Sequence, residues 1–211
     1  MSEERAKKIK LMLFDVDGVM TDGTIFLFPA PGGAAEHATH QRREQFADKG
    51  GFGIAGTTMV EAKGFNAHDG TGFSLLRLGG MKAGIITKRI SETVALRARD
   101  LKIDIVYQGQ QDKAEALNEI LQRHGLLAEE VCYVGDDVID LPVMRRCGLA
   151  IAVKNSRPEV LREAHFVTEH EGGHGAVRDA IEYVLRAQGQ LERVIDEYIA
   201  SRSQDPAAKV Q

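Results

Sequence analysis

Two aspartates, two positions apart, follow directly on an apolar run near the start of the chain. The apolar residues 11–14 lead into Asp15, which is followed by Asp17 and Gly18. Two carboxylates this close repel each other unless a cation lies nearby. Oxygen ligands favour Mg²⁺, which takes one or two carboxylates together with substrate phosphate oxygens. The pair is therefore a candidate magnesium site, and a solvated turn after a core strand is the alternative.

Further polar residues follow later apolar runs. A hydroxyl group at Thr87, together with the amides of the next helix, can hold a phosphate oxygen. Lys113 opens a predicted helix, where its ammonium group could supply positive charge to a phosphate and a nucleophile. Asp136 and Asp137 follow an apolar run, and Asp140 lies three residues beyond. Each residue alone also fits a helix cap, a solvated charge or a turn, so their order and shared position carry the inference.

Alternating strands and helices are predicted to position these residues. The predicted strands are residues 11–14, 82–87, 103–107, 130–134, 149–153 and 165–168. The predicted helices are residues 73–78, 91–101, 112–125, 141–147 and 176–187. This alternation predicts right-handed βαβ units and a parallel sheet with helices on both faces. The expected fold class is therefore a three-layer, Rossmann-like α/β sandwich, with ligands bound at the carboxyl ends of its strands.

A β-hairpin is predicted to project from this sheet. Residues 24–28 form one strand and residues 59–65 its return partner, and the long insertion between them could hold a short polar helix over residues 36–49. The expected domain organisation is a single domain over residues 1–188, with hairpin and insertion at about 24–65, and a C-terminal helix and tail over 189–211.

The bulk composition excludes several classes of protein. A net charge of −4 and a pI near 6.0 argue against a protein that binds nucleic acid or an anionic membrane, because both need a basic face. The chain shows neither a signal peptide at its start nor an apolar run approaching the ~20 residues of a transmembrane helix, so we expect a soluble, cytoplasmic protein. Cys132 and Cys147 are expected to be buried, reduced thiols.

The order Asp-x-Asp-Gly, Thr, Lys and Gly-Asp-Asp over residues 11–140 resembles the haloacid dehalogenase superfamily of phosphotransferases. The resemblance implies that Asp15 is the nucleophile, which forms an aspartyl phosphate, and that Asp17 is the general acid and base. It implies that Thr87 and Lys113 bind the phosphate. The Mg²⁺ ligands that it implies are Asp15, Asp17 through its backbone carbonyl and Asp136, with Asp137 and Asp140 as supporting residues.

Longer strings extend the resemblance over nearly the whole chain. They are DG at 22–23, FNAHDGTG at 65–72, VYQG at 106–109, DDVIDLPVM at 136–144 and GGHGAVR at 172–178. Together they are similar to the family of 3-deoxy-D-manno-octulosonate 8-phosphate phosphatases. The resemblance implies hydrolysis of this eight-carbon sugar acid phosphate in lipopolysaccharide synthesis. It also implies a homotetramer whose hairpins meet at its centre.

The same resemblance implies that the substrate is bound by Asn66, Asp69, Arg89 and Arg178. It also implies that residues 172–178 close the active site of a neighbouring subunit. It also implies that no cap domain is present. Spacing supports this independently, because the 26 positions from Thr87 to Lys113 are filled by one helix and one strand.

Two departures from the family pattern leave the substrate open. Lys88 stands where the family usually has glycine, and His68 stands where it typically has arginine. A third departure is the insertion itself, where the family has a tight turn. Phosphatases of nine-carbon, sialic-acid-type 9-phosphates share the capless fold and are the alternative, with Lys63 as a cation that a longer sugar acid could use.

Overall fold

Six parallel strands form the centre of the fold, in a computed structural model that describes residues 2–29, 52–53 and 59–203. The strands in chain order are β1 (Leu11–Phe14), β2 (Phe26–Pro29), β3 (Phe52–Gly53), β4 (Met59–Ala62), β5 (Lys82–Ile86), β6 (Arg89–Ile90), β7 (Ile105–Tyr107), β8 (Val131–Gly135), β9 (Leu149–Ala152) and β10 (Phe166–Val167). The central sheet has the order β10-β9-β8-β1-β5-β7, so the two aspartates follow a strand with neighbours on both sides.

Helices cover both faces of the sheet. They are α1 (Ser2–Ala6), α2 (Ala67–Leu78), α3 (Glu92–Asp100), α4 (Lys113–His124), α5 (Leu141–Met144), α6 (Pro158–Glu163), α7 (Ala176–Ala187) and α8 (Leu191–Arg202). Two short 3₁₀ helices span Ala128–Glu130 and Val138–Asp140. The three-layer α/β prediction is confirmed. The division of the chain at residue 188 stays a prediction.

Alternate side chains of β1 enter two separate cores. Met12 and Phe14 pack with α2, α7 and α8 on one face, whereas Leu11 and Leu13 pack with α4, α5 and α6 on the other. Phe14 meets Phe73 edge to face with ring centroids 5.1 Å apart, which contributes about 0.5–1.5 kcal/mol beyond area burial. Since β1 is buried on both faces, its end is held rigidly where Asp15 begins.

The elements between Thr87 and Lys113 are β6, α3 and β7, so no cap domain lies between these two residues, as the spacing predicts. Helix α2 is longer than predicted because Asn66 caps it, its side chain accepting a hydrogen bond from His68 N at 2.7 Å, despite the glycines in its first turns. Sequence patterns missed α6, a short helix that opens with Pro158.

The predicted hairpin is present as the antiparallel pair β2 and β4, in which Phe26 lies opposite Ala62. Phe52–Gly53 of the insertion pairs in parallel with β6. The helix predicted over residues 36–49 lies outside the described residues.

Both cysteines are buried, and neither forms a disulfide. Across residues 2–29, 52–53 and 59–203, no helix has the length and apolarity needed to cross a membrane.

Candidate active site

Asp15 lies directly after the carboxyl end of β1, and its side chain is buried. It is 4% exposed, and its backbone N donates to Val134 O on the neighbouring strand at 3.0 Å. Val16 O then accepts three backbone hydrogen bonds from residues 19–21, which closes a tight turn directly after the strand. This turn carries Asp17, which is half-buried, to the mouth of the site.

Gly18 brings a second acidic residue up to this turn. Its φ of +93° lies in the left-handed region, and a Cβ at this position would stand 2.2 Å from Asp136 Oδ2. Only glycine therefore allows Asp136 to approach the Asp15 turn so closely. The prediction that the ends of β1 and β8 form one edge is confirmed, since these strands are adjacent and in register.

Lys113 is the buried cation of the site. Its Nζ lies 2.9 Å from Asp15 Oδ1 and 2.7 Å from Asp140 Oδ1, and its side chain is 1% exposed. Burial alone would lower the pKa of Lys113, but the charges of Asp15 and Asp140 outweigh it and raise the pKa. Asp112 caps α4 by accepting from Ala114 N at 2.9 Å, which fixes the point from which the lysine projects.

Asp140 orients the loop that carries Asp136. Its Oδ2 accepts from Asp136 N at 2.9 Å and from Asp137 N at 3.2 Å. Gly135 is required here, because a Cβ at that residue would lie 2.6 Å from Asp140 Cβ. Asp140 thus acts on the backbone of the loop, which is consistent with the supporting role predicted for it.

Three carboxylates converge at this point, and their charges are poorly balanced. One oxygen each of Asp15, Asp136 and Asp140 lies within 4.8 Å of the others. Burial raises the pKa of Asp15 to about 7 against the opposing charge of Lys113. Burial and repulsion by Asp15 raise the pKa of Asp136 to about 8. A divalent cation would relieve this repulsion.

The donor set fits Mg²⁺. All candidate ligand atoms are oxygens, which suit a hard cation. Asp136 Oδ1 is buried without a hydrogen-bond partner in the part of the chain that the structure describes, so it is free to accept a metal bond. The oxygens of Asp140 already accept from Lys113 and two backbone amides. Asp15 and Asp136 are therefore the side chains available to an ion.

Thr87 lies at the end of β5, on the strand next to β1. It is 2% exposed, and its backbone is fixed on both sides, since Thr87 N donates to Tyr107 O at 2.9 Å and Thr87 O accepts from Gln110 N at 3.1 Å. The sheet register places it level with the residues that follow Phe14. This position at the shared edge agrees with the location that the sequence predicts for it.

Asp17 and three other charged side chains form a closed group. Lys63, whose side chain is fully buried, forms an ion pair with Asp17 and lies 3.7 Å from Glu61. Arg89 Nε lies 3.6 Å from Asp17 Oδ2, and Arg89 Nη2 lies 3.0 Å from Glu61 Oε2. Burial alone would raise the pKa of Glu61, but hydrogen bonds from Ser91 and Arg89 outweigh it and lower the pKa. The hairpin strand β4 is thereby tied to the mouth of the site.

The other predicted substrate-binding residues have structural contacts. Asn66 caps α2, and Asp69 Oδ1 accepts from Arg178 N at 2.9 Å, which joins α2 to α7. The Arg178 side chain pairs with Glu182. Asn66, Asp69 and Arg178 make these contacts within and between helices, whereas Arg89 pairs with Asp17, and the role of all four residues in substrate binding stays a prediction.

Residues 172–178 pack beside the site of their own subunit. Gly173 N donates to Val19 O at 3.1 Å, and a Cβ at Gly172 would lie 1.8 Å from Gly18 O. Its glycines pack against the turn after Asp17 in the same chain, and the expectation that this segment also closes a neighbouring subunit's site stays a prediction.

Sequence reasoning missed Tyr133 and Glu61. Tyr133 Oη lies 2.7 Å from Asp140 Oδ1, and Glu61 binds both cations beside Asp17. A hydroxyl group within a core strand was the available signal for Tyr133, because a buried phenol needs a partner. Glu61 carried no such signal, since a carboxylate on a hairpin strand is ordinarily solvated.

Comparison with known proteins places this arrangement in a family. A family model described as haloacid dehalogenase-like hydrolase matches residues 84–181. A 3-deoxy-D-manno-octulosonate 8-phosphate phosphatase from Yersinia pestis is 38% identical over 90% of this chain and 86% of its own length. This chain belongs to the 3-deoxy-D-manno-octulosonate 8-phosphate phosphatase family. The family member from Escherichia coli K12 is 35% identical over 89% of this chain and 85% of that protein.

Solved structures of the octulosonate phosphatase family agree with the fold. The Yersinia pestis enzyme superposes with a TM-score of 0.74 at 37% identity, covering 90% of this chain and 88% of that one. The Moraxella catarrhalis enzyme was solved with magnesium ion, phosphate ion and KDO, the octulosonate itself. It gives a TM-score of 0.76 at 31% identity and covers 93% of this chain and 97% of that one. Both the predicted haloacid dehalogenase fold and the predicted phosphatase class are confirmed.

Proposed function

We propose that this chain hydrolyses 3-deoxy-D-manno-octulosonate 8-phosphate to the free sugar acid and phosphate, with Mg²⁺ as cofactor, in the cytoplasmic synthesis of lipopolysaccharide. The observation that carries the proposal is the convergence of Asp15, Lys113 and Asp136 at one edge of the sheet. The names of the relatives and the magnesium, phosphate and KDO bound to the Moraxella catarrhalis enzyme support it.

Asp15 is the nucleophile in this proposal. A carboxylate oxygen of Asp15 bonds to phosphorus while the bond from phosphorus to the sugar oxygen breaks, which leaves an aspartyl phosphate. Asp17 gives a proton to the departing oxygen. Asp17 then takes a proton from water, whose oxygen attacks phosphorus and releases inorganic phosphate, so that Asp15 returns to its starting state.

Lys113 and Thr87 hold phosphate oxygens beside the nucleophile. Asp15, Asp136 and the backbone carbonyl of Asp17 would hold Mg²⁺. The chemistry that a bound Mg²⁺ supplies is neutralisation of the negative charge on phosphate and carboxylate. Lys113 is already 2.9 Å from Asp15, so its positive charge favours the approach of a phosphate to an anionic nucleophile.

Lys63 and Arg89 support a substrate that is itself an acid. Both cations lie beside Asp17 at the mouth of the site, where a sugar carboxylate could take the place of Asp17 or Glu61 as the partner of one of them. Glu61 holds the two cations together. Arg89 is accordingly the predicted substrate-binding residue that the contacts support best.

A homotetramer is the proposed assembly. Phe26, Leu27 and Phe28 on β2 and Val60 on β4 are all at least 44% exposed, which makes the hairpin the apolar surface most suited to association with further copies. The tetramer leaves Asp15 and Lys113 within one chain, so the chemistry itself does not require a neighbour.

Phosphate release from a matched panel tests the proposal. The panel contains the eight-carbon sugar acid 8-phosphate, a nine-carbon sialic-acid-type 9-phosphate and p-nitrophenyl phosphate, each with Mg²⁺ and with excess chelator. We expect the eight-carbon substrate to give the highest kcat/KM and chelator to abolish turnover. A preference for the nine-carbon acid, which the named relatives do not favour, would overturn the substrate assignment. Turnover that survives the chelator would overturn the cofactor assignment.

A further inference from the structure

Tyr133 is a fully buried tyrosine that the catalytic motifs leave without a role. It lies in β8, two residues before Gly135, and packs in the cluster that contains Leu13 and Ile86. A buried phenol hydroxyl group costs free energy unless it has a hydrogen-bond partner. Its partners therefore indicate what the hydroxyl group does.

The hydroxyl group bridges Lys113 and Asp140. Tyr133 Oη lies 2.7 Å from Asp140 Oδ1 and 3.2 Å from Lys113 Nζ. Because an ammonium group only donates and a carboxylate only accepts, Oη accepts from Lys113 and donates to Asp140. Ile86 O, at 3.5 Å, is too distant to compete for the single phenol hydrogen.

All three hydrogens of the Lys113 ammonium group then have acceptors. They are Asp15 Oδ1 at 2.9 Å, Asp140 Oδ1 at 2.7 Å and Tyr133 Oη at 3.2 Å. A lysine side chain is otherwise flexible and its ammonium group rotates freely. Three fixed acceptors set the rotation of the group and hold it against Asp15, and the hydrogen directed at Asp15 is the one that can pass to a phosphate oxygen once Asp15 bonds to phosphorus.

Asp140 is likewise saturated by donors. Its Oδ1 accepts from Lys113 and Tyr133, and its Oδ2 accepts from the backbone amides of Asp136 and Asp137. A tilt of this carboxylate would therefore move the loop from which Asp136 projects. The Tyr133 hydroxyl group connects the lysine to that loop through a single carboxylate.

We propose that Tyr133 is a positioning residue, whose hydroxyl group fixes Lys113 against Asp15 and holds Asp140 against the loop that bears Asp136. Tyr133 acts through these residues and does not touch the substrate. The inference rests on the proposed function, which assigns Asp15, Lys113 and Asp136 to the reaction. If the hydroxyl group only stabilised the fold, its removal would change stability alone.

Tyr133→Phe tests the proposal, with Tyr107→Phe as its matched control. Tyr107 lies on β7 and also has a buried hydroxyl group, which has no partner within the described part of the chain. For Tyr133→Phe we expect kcat to fall about tenfold, KM to stay within about twofold, and the Mg²⁺ dissociation constant, measured by calorimetry without substrate, to rise at least about threefold. Tyr107→Phe leaves all three values within about twofold of wild type.

Unchanged kcat and Mg²⁺ affinity in Tyr133→Phe would overturn the proposal, as would equal losses in Tyr107→Phe. Circular dichroism and Tm establish that each variant is folded. Tyr133→p-aminophenylalanine keeps a hydrogen-bond donor at the position of the hydroxyl group, so we expect its kcat to recover toward the wild-type value. If Tyr133→Phe does not fold, the kcat of this second variant tests the proposal. If the proposed function is wrong, the wild-type protein will not hydrolyse the sugar acid phosphate in the substrate panel. If only this inference is wrong, the wild type will be active, and Tyr133→Phe will have the same kcat and Mg²⁺ affinity as the wild type.

Discussion

Gly18 and Asp140 decide the geometry of the acidic cluster as much as the carboxylates that would bind a metal. Gly18 leaves room for Asp136, because a Cβ at residue 18 would overlap Asp136 Oδ2. Asp140 orients the loop that carries Asp136 by accepting hydrogen bonds from two of its backbone amides. The buried carboxylates Asp15 and Asp136 are held close together although they repel each other. Such strain persists only where the surrounding contacts enforce it.

Asp15→Asn should abolish turnover, because it removes the nucleophile's charge while keeping its size. We expect kcat to fall at least about 10³-fold with the fold intact. Asp22→Asn is the control, because Asp22 is an exposed acid of the same loop whose Oδ1 accepts a hydrogen bond from Thr24 N at 2.8 Å. The kcat of this control should stay within about twofold of wild type. The measurement is phosphate release with Mg²⁺. More than a tenth of wild-type turnover in Asp15→Asn would exclude Asp15 as the nucleophile.

Asp69→Asn should stabilise the protein above neutral pH. Burial raises the pKa of Asp69 from 3.8 to about 6, so the folded state holds a proton that the unfolded state has released. Stability is therefore lost as pH rises from about 4 through about 6, and the full cost of about 1–3 kcal/mol applies above that range. Asparagine carries no charge and still accepts from Arg178 N.

Urea unfolding of the wild type and Asp69→Asn at pH 5 and pH 8 measures this effect. We expect the gain from asparagine to be about 1 kcal/mol larger at pH 8 than at pH 5. An equal difference in unfolding free energy at both pH values would mean that Asp69 does not titrate in this range.

The elements around the site are joined by close backbone contacts as well as by the sheet. The turn after Asp17 lies between β1 and the segment that precedes α7, and Gly173 N donates to Val19 O across this contact. The hairpin is joined to α3 through Glu61, whose Oε1 accepts from Ser91 Oγ at 2.5 Å at the start of that helix. Movement of the hairpin or of the segment before α7 would therefore displace Asp17.

Gly172→Ala should displace this segment from the turn, because its Cβ would lie 1.8 Å from Gly18 O. We expect a loss of about 2–4 kcal/mol in unfolding free energy and a fall in kcat, since the backbone has to move. Gly64→Ala is the control, as nothing lies within 4 Å of the Cβ that would be added there. Thermal unfolding and phosphate release check both variants. Equal behaviour of the two would show that the close packing has no energetic consequence.

Within the described residues, several exposed apolar side chains of the molecule are grouped on the hairpin. The catalytic edge is built from strands of one sheet, whereas the exposed phenylalanines lie on the separate two-stranded hairpin. Phe26 and Phe28 stack with ring centroids 6.4 Å apart, which gives the hairpin a flat apolar face. A face of this kind is better suited to another copy of the chain than to water.

The double variant Phe26→Ser with Phe28→Ser should dissociate the proposed tetramer, because each phenylalanine contributes about 1.5–3 kcal/mol when it is fully buried. Light scattering is expected to show the mass falling from a tetramer of 23.1 kDa chains toward the single chain. Leu127→Ser is the control, since Leu127 is 62% exposed on another part of the surface. A mass that does not change in the double variant would place the interface elsewhere.

The sequence by itself determined the sheet and the edge of it at which the residues proposed for the chemistry lie. Asp15, Thr87, Lys113 and Asp136 all stand at the end of an apolar strand or the start of a helix. In a parallel sheet those positions meet at one edge whatever the details of packing. Local patterns were therefore sufficient to predict the fold and this edge.

Only the tertiary structure decided which other side chains reach that edge. Lys63 reaches Asp17 from the hairpin, more than forty residues along the chain, with Glu61 as its neighbour, and Tyr133 reaches Lys113 from β8. Asp69, by contrast, is held at the backbone of Arg178, although its motif indicates substrate binding. These contacts depend on the angle and depth at which each element packs, and packing of this kind leaves no periodic signal in the chain.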